Sequence, residues 1–317
     1  MAKLKGPLLS LEARGSLGPG LTYSERKSGS QVRIQQKQVI PKPSFASTDN
    51  QSLYRLIIAR WNSFTKEQRD LYNEEVKTEN LQISGWNLFV KKAMLDPKTY
   101  LGLAGFWTFN REGSGTVLDI SKNGNHGTLQ PDYPANAPKY IDSKNSRMRK
   151  ALSFDGTLNY IDTLFNGTQY ANLTFIFWAR NNELPSTIFR HILDNSPGAA
   201  GYLIRTRNAT NAINFYVHMT TGGFKFATVT VPDTNWHFFV AQITPTKVCF
   251  SIDAKTPSVS TFAADTIKAS SFSMVIGASL ERSAPNCWNG LIDEVSIYNR
   301  ALSAGEIKDI YNMYNVK

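Results

Sequence analysis

A chain of 317 residues with 35 Lys and Arg against 25 Asp and Glu is basic, net +10, and long enough for two domains. Hydrophobic residues at 41% suffice for a packed core, and aromatic residues at 12% suit β-rich structure. No apolar run approaches the ~20 residues needed to cross a bilayer, and two cysteines without clustered histidines exclude a zinc site.

The charge is uneven. Residues 1–98 hold 16 Lys and Arg against 9 Asp and Glu, and within the first 43 the balance is 8 against 2. A basic arm of this kind calls for an acidic partner, nucleic acid or an acidic protein surface, or else is a solvated tail. The opening MAKLKGPLLSLEARGSLG has no continuous apolar h-region, so routing by a Sec signal is not expected and synthesis in a cytoplasm is. That compartment favours free thiols at Cys249 and Cys287, and Cys249 alternates with Val248 and Phe250 as a buried strand residue does. The sequons at Asn166, Asn172 and Asn208 carry little meaning without secretion.

Residues 1–47 form an extended basic arm. Within it, GLTYSERKSGSQVRIQQKQVI reads as a hairpin. Leu21 and Tyr23 lead into the turn Lys27-Ser28-Gly29-Ser30, and Val32 and Ile34 alternate with polar residues on the return. A lone two-stranded hairpin is marginal in water, so Leu21, Tyr23, Arg26, Lys27, Val32, Arg33 and Ile34 are candidate assembly contacts.

Residues 48–98 read as a small three-helix module. Leu53, Leu56, Ile57 and Trp61 recur at helical spacing over Gln51 to Asn62. Thr65 and Gln68 form a capping-box pattern opening a second helix through about Glu79, with Leu71, Tyr72 and Val76 facing inward. Ser84 or Gly85 starts a third, with Trp86, Phe89, Val90 and Met94 on one side, closed by Asp96-Pro97.

From about Tyr100 short apolar-alternating runs follow one another between Gly, Asn, Asp, Pro and Ser clusters: TFIFWAR, YLIRT, INFYVHM, FKFATVTV, WHFFVAQI, VCFSID, FSMVIGA and LIDEVSIY. Regular strand spacing with one closing helix indicates a mainly β, two-sheet antiparallel jelly-roll sandwich over residues 99–317. No glycine-rich phosphate loop is present, and the four histidines fall in different strands or turns. His218 and His237, in apolar-alternating runs, read as satisfied structural histidines. Adjacent Asp293 and Glu294 should point to opposite sheet faces, which does not suit paired acid and base roles.

Three segments carry a resemblance: FWTFNREGSGTVLDISKNGNHGTL, KALSFDGTLNYID and NGLIDEVSIYNRALSAGEIKDIY. In this order and at this separation they resemble the concanavalin A-like lectin/glucanase superfamily, in its laminin-G-like jelly-roll branch. The resemblance implies a binding scaffold, and the Glu-x-Asp-x-(x)-Glu strand of that superfamily's retaining glucanases is missing, so no enzyme activity and no catalytic residues are expected. It also implies a structural Ca²⁺ beside the first loop and the final strand, at Asp119, Asn123, Asn125 and Asp293. Against this, Asp and Asn in such loops also cap their own turns, and the family's Asp after Trp-x-Phe is Asn110 here. Trp107, Trp178, Trp236 and Trp288 match core positions. Loop residues Tyr133, Tyr140, Phe165, Tyr170, Phe224 and Arg282 are the better candidates for a sugar rim, although no carbohydrate site can be placed from the sequence.

The pieces GSLGPGLTYSERKSG, ARWNSFTKEQRDLYNEEV and SGWNLFVKK resemble an amino-terminal module of uncharacterised virion proteins of tailed phages and prophages. A rival similarity, to the HMG box, would give Arg55, Arg60 and Arg69 a DNA contact; otherwise they are solvated. Together these readings lead to a non-catalytic virion structural protein, a capsid decoration, head fibre or spike. Its N-terminal region would dock on capsid or tail proteins, and a lectin-like sandwich would be displayed for host glycans, as a homo-oligomer on the particle surface and without membrane contact. A cell-surface or secreted carbohydrate-binding adhesin is the alternative, and a DNA-associated protein using the basic arm is the next.

Overall fold

The computed structural model describes residues 15–17, 21–26, 29–34, 45–113, 115–145, 147–282 and 286–315. The chain divides into two compact units, Met1–Ser44 and Phe45–Lys317. In the first, β1 (Gly15–Leu17), β2 (Leu21–Arg26) and β3 (Gly29–Ile34) make a three-stranded antiparallel sheet. The expected hairpin is there, with Tyr23 opposite Val32 and Leu21 opposite Ile34, and β1 adds a third strand. Among the candidate assembly contacts, Leu21, Tyr23 and Arg26 lie in β2, and Val32, Arg33 and Ile34 in β3. Lys27 lies outside the described residues.

The second unit opens with α1 (Phe45–Ser63), α2 (Lys66–Thr78), α3 (Gly85–Leu95) and a short α4 (Pro97–Leu101), and ends with α5 (Ala304–Tyr314). Thr65 caps α2 through the expected box with Gln68, and Ser84 caps α3 by accepting the Asn87 amide. Asp96-Pro97 does close α3, but Asp96 also caps α4, a helix the periodicity did not reveal.

Between the helices run β4 (Leu103–Trp107), β5 (Thr116–Val117), β6 (Gly127–Gln130), β7 (Lys139–Asp142), β8 (Lys150–Asp155), β9 (Tyr160–Thr163), β10 (Leu173–Asn181) and β11 (His191–Asp194). They continue with β12 (Tyr202–Thr206), β13 (Ala212–His218), β14 (Phe224–Thr230), β15 (Trp236–Thr244), β16 (Lys247–Ile252), β17 (Ser258–Thr261), β18 (Val275–Ile276) and β19 (Asn289–Tyr298). One antiparallel sheet has the order β17-β16-β15-β10-β19-β8-β7, with β4 also on β19; the other runs β14-β13-β12-β11-β18-β9-β6-β5. This is the expected two-sheet antiparallel sandwich. Its core lies between the sheets, with Phe175, Phe177, Phe239 and Val295 from the first meeting Ile204, Phe215 and Val217 from the second.

A second core lies outside the first sheet. Leu53, Leu56 and Ile57 of α1, Phe89 and Ala93 of α3, Leu101 of α4, and Ile310 and Tyr314 of α5 pack on Ile176, Trp178, Phe238 and Val240. The helical segment therefore shares a compact unit with the sandwich, and no boundary of compactness falls near residue 98. Strands buried on both faces read as continuous apolar runs, which is why TFIFWAR and WHFFVAQI show so little alternation. Packing on the sheet also corrects α2. It holds no buried residue, and of the three residues expected to face inward Leu71 is exposed while Tyr72 and Val76 are only partly covered.

Polar clamps hold this cover in place. Glu306 completes the Ser303 capping box of α5 and also binds Arg60 of α1 and Arg300 beyond β19. Burial alone would raise the Glu306 carboxyl, but the Arg300 contacts, the Ser303 amide and Arg60 outweigh it and hold the group below its ordinary value. Asp49 of α1 accepts from Thr108 Oγ1 and Arg111 Nε at 2.9 and 2.8 Å. Arg55 lies over the Tyr314 ring and Arg69 donates to the carbonyls of Trp61 and Asn62, so none of the three arginines of the HMG-like reading is an idle solvated cation. Both cysteines are buried and free, as expected. No helix among the described residues is long and apolar enough to cross a membrane.

Candidate functional site

The second sheet turns its other face to solvent. In β13 and β14 side chains alternate, so Ile213, Phe215, Val217, Ala227 and Val229 enter the core while Asn214, Tyr216, His218, Phe224 and Phe226 point outward. Register sets the outward residues in rows: His218 faces Phe224, Tyr216 faces Phe226, and Asn214 faces Thr228. Phe224 and Phe226 are 57% and 46% exposed, and with the Tyr216 ring 5.5 Å from that of Phe226 they form an aromatic platform. A hydrogen-bond chain fixes the platform's edge. Thr228 Oγ1 donates to Asn214 Oδ1, and Asn214 Nδ2 donates to the Tyr216 hydroxyl at 2.6 Å.

Beside the platform lies a groove of about 420 Å³ lined by Tyr216, His218 and Phe224 together with Leu203 and Arg205 of β12 and His191 and Asp194 of β11. Ser196, Ser279, Leu280 and Glu281 close its far side. Asp194 is the joint of that side: Oδ1 accepts the Ser196 amide at 2.7 Å and Oδ2 the Leu280 amide at 2.9 Å. His191 Nδ1 stands 2.9 Å from Asp194 Oδ2 but outside hydrogen-bond angles. Ser196 Oγ and Ser279 Oγ are buried with no hydrogen-bond partner among the described residues. Burial first, and Lys268 second, hold the His218 imidazole below its ordinary value, so it faces the groove neutral. Exposed aromatic faces beside unfilled polar groups suit a ligand with an apolar face and a polar rim.

Of the loop residues expected at a sugar rim, only Phe224 is in this groove, and it belongs to a strand. Phe165 is a core residue, and Tyr133, Tyr140 and Tyr170 pack partly on the core. Arg282 is spent on Asp162 and the Tyr160 ring. Trp107, Trp178 and Trp288 are core residues as expected, and Trp236 is half-buried at its edge. Of the two histidines read as structural, His237 is satisfied between Asp253 and Asp233, whereas His218 lines the groove.

The residues expected to hold calcium do not all meet. Asp119 Oδ1 accepts the amides of Phe106 and Ser121, and Oδ2 accepts that of Asn125. Asn123 and Asn125 donate their side-chain amides to the carbonyls of Leu103 and Ala104. These three form one hydrogen-bonded loop that ties β4 to its own turn. Asp293 is elsewhere, buried in β19 with Ser143 Oγ on one oxygen and the Glu294 amide on the other. A hard cation needs several oxygens converging on one point; the loop's one carboxylate already accepts three amides and Asp293 lies apart from it, so the four expected residues do not form one calcium cage. Among the described residues no group of three His, Cys, Asp or Glu is placed to hold a metal.

The Asp293-Glu294 pair departs from the alternation rule. Pairing with β10 shifts between Ile176 and Trp178, which places Glu294 in a bulge with φ 49°. The bulge brings Asp293 and Glu294 together on the helix-covered side instead of on opposite faces. There Glu294 accepts from Ser52 Oγ of α1 at 3.0 Å and from the Tyr314 hydroxyl of α5 at 2.8 Å. Burial pushes both acids up. Asp293 is raised further by the neighbouring Glu294 charge, and Glu294, against the pull of Tyr314 and Arg55, rises to about 7. The pair is sealed from solvent and is part of the helix clamp.

Residues 155–308 match the profile of the concanavalin A-like lectin/glucanases superfamily, so that part of the chain is a concanavalin A-like domain. No curated protein matches the chain. Solved structures similar to it include the receptor binding domain of botulinum neurotoxin mosaic serotype C/D, with TM-score 0.54 and 14% identity over 67% of this chain and 51% of that one. The binding domain of Paraclostridial Mosquitocidal Protein 1 gives 0.52 and 14% over 67% and 52%. Domain 4 of AbnA, a GH43 extracellular arabinanase from Geobacillus stearothermophilus, solved in complex with arabinotriose, gives 0.51 and 17% over 66% and 98%. The chain thus spans about half the length of the toxin binding domains it matches. These likenesses are of fold.

Proposed function

We propose that the sandwich is a non-catalytic glycan-binding module, and that it recognises its ligand on the uncovered face of the second sheet. The observation that carries this reading is the exposed pair Phe224 and Phe226 beside a groove whose buried hydroxyls have no partner among the described residues. A pyranose stacks its apolar face on such rings and offers hydroxyls to such groups. A similar fold solved with arabinotriose supports the class of ligand. The sealed state of Asp293 and Glu294 supports the absence of hydrolytic chemistry, because neither carboxylate can flank a substrate bond. The test is a glycan array probed with the full chain and with the Phe224→Ala/Phe226→Ala double variant. Binding by the first and loss of it by the second is expected; equal signal from both would overturn the placement, and release of reducing sugar would overturn the non-catalytic reading.

The same proposal keeps the N-terminal region as the anchor to a virus particle, on the strength of its basic composition and its resemblance to virion modules. Among the described residues its antiparallel sheet has β1 and β3 at its edges, the kind of edge that a partner strand extends. Repeated copies on a particle would raise weak glycan contacts to useful avidity. Deleting residues 1–44 should abolish association with particles, and normal association of the truncated chain would remove the anchoring role.

A further inference from the structure

We propose that the groove selects glycans bearing a carboxylate, an acidic sugar of the sialic or uronic kind, and that Arg205 is the residue that receives it. This rests on the reading of the open face as a glycan site. Five arginines of the second unit meet carboxylates: Arg60 and Arg300 share Glu306, Arg111 holds Asp49, Arg190 holds Glu183 and Arg282 holds Asp162. Others, such as Arg55 and Arg69, do not, but of all of them only Arg205 lines the groove. Arg205 has no acidic partner among the described residues. Its guanidinium is held instead by two aromatic rings, 4.3 Å from the centre of Phe189 and 5.3 Å from that of Tyr216, and its Nε is buried without a hydrogen bond. A cation stacked in this way is fixed in position while the edge of its planar fork stays free for a bidentate acceptor.

Neither acid of the groove, Asp194 or Glu281, forms an ion pair with it. Asp194 spends its oxygens on the Ser196 and Leu280 amides and lies against His191. Glu281 is exposed in the turn beyond Leu280 and makes no ion pair with Arg205. His218 is held neutral, so it can bond a sugar hydroxyl without competing for the carboxylate. Cross-strand pairing fixes the layout: Arg205 stands between His191 and Asn214, one row from the Tyr216–Phe226 row. A ligand carboxylate on Arg205 therefore leaves its ring beside the aromatic platform, with Ser196 and Ser279 hydroxyls on the opposite side. The volume of about 420 Å³ is that of a one- or two-sugar site.

The test is calorimetric titration of the full chain with 3′-sialyllactose, its carboxylate methyl ester, lactose and a glucuronic acid-terminated disaccharide. At least one acidic probe should bind about tenfold or more tightly than lactose and than the ester, the scale of one charge-assisted bidentate contact. Arg205→Gln should erase that preference, while Arg205→Lys, which keeps charge but loses the fork, should weaken it with an unchanged melting temperature. Phe226→Ala should weaken acidic and neutral probes alike. Which acidic probe wins identifies the sugar. If lactose and the ester bind as well as the acids, the acidic class is wrong and the open-face reading stands. If Arg205→Gln keeps the preference, Arg205 is not the receptor. If no probe and no array glycan binds, the underlying reading falls as well.

Discussion

On the outside of β10 and β15, Ile176, Trp178, Phe238 and Val240 lie sealed beneath helices; on the outside of β13 and β14, Tyr216, Phe224 and Phe226 meet water. The two faces use similar aromatic residues for opposite ends. On the covered face each ring is locked by others, as Trp178 is by Tyr311, Phe238 and the Lys144 ammonium. On the open face the rings are ordered only by their strand neighbours and one short polar chain. A sandwich needs both sheets for its central core but only one outer face for its cover, and the spare face is free to be a surface for recognition.

That difference can be broken most forcefully from the covered side. Phe89 contacts Trp61, Phe64, Tyr72 and Trp86 and is wholly buried. Phe89→Ala or Trp178→Ala should cost about 3–5 kcal/mol in chemical denaturation, the usual loss for a buried aromatic ring. The matching change on the open face, Phe226→Ala, should alter stability by about 0.5 kcal/mol or less. Comparable losses on both faces would mean that the open face is also structural.

The clamp under the helices gives a smaller effect with a definite sign. The folded state holds protons on Asp293 and Glu294 that the unfolded chain would release, because burial raises both acids. The Glu294 contribution is complete below the ordinary glutamate value of 4.5 and is lost as pH rises through about 7, and Asp293 acts in the same direction. His237 acts in the same direction: burial opposes its charge, but Asp253 and Asp233 outweigh that and raise it. Stability should therefore fall between pH 5 and pH 8, with the Glu294 shift contributing on the order of 2–3 kcal/mol and the lowered His218 opposing part of it. Glu294→Gln should flatten that slope, and a melting curve rising toward pH 8 in the unaltered chain would contradict the clamp. Tyr314→Phe, which takes the hydroxyl from Glu294, should cost about 1–3 kcal/mol and leave glycan binding unchanged. Smallest of all is calcium. With three amides on Asp119 and Asp293 held elsewhere, millimolar Ca²⁺ or a chelator should leave the melting temperature unmoved; a calcium-dependent rise abolished by Asp119→Ala would restore the ligand reading.

Much of the fold was legible in the sequence. The short apolar runs from TFIFWAR to LIDEVSIY, set between turn clusters, gave the strands, the Thr65/Gln68 pattern gave the start of α2, and Leu21 and Tyr23 against Val32 and Ile34 gave the hairpin. The near-continuous apolar character of TFIFWAR and WHFFVAQI also carried a sign that both faces of those strands are buried. What covered the outer one was not legible, because α1 meets β10 across more than a hundred residues of chain. Leu71 was misplaced for the same reason, since helical spacing marks a face and not its partner. The Glu294 bulge broke parity, and with it the rule that neighbours in a strand point apart. The site was least legible. FKFATVTV shows two Phe of one parity opposite Ala and Val, which singles out Phe224 and Phe226, but the stacking of Arg205 between Phe189 and Tyr216 exists only once the chain has folded.

The most direct test of the division between a sealed face and a recognising face is one paired measurement on the Phe224→Ala/Phe226→Ala variant: glycan-array binding and melting temperature from the same preparation. Binding lost with melting unchanged is the predicted result. Binding retained, or melting lowered as far as in Phe89→Ala, would contradict it.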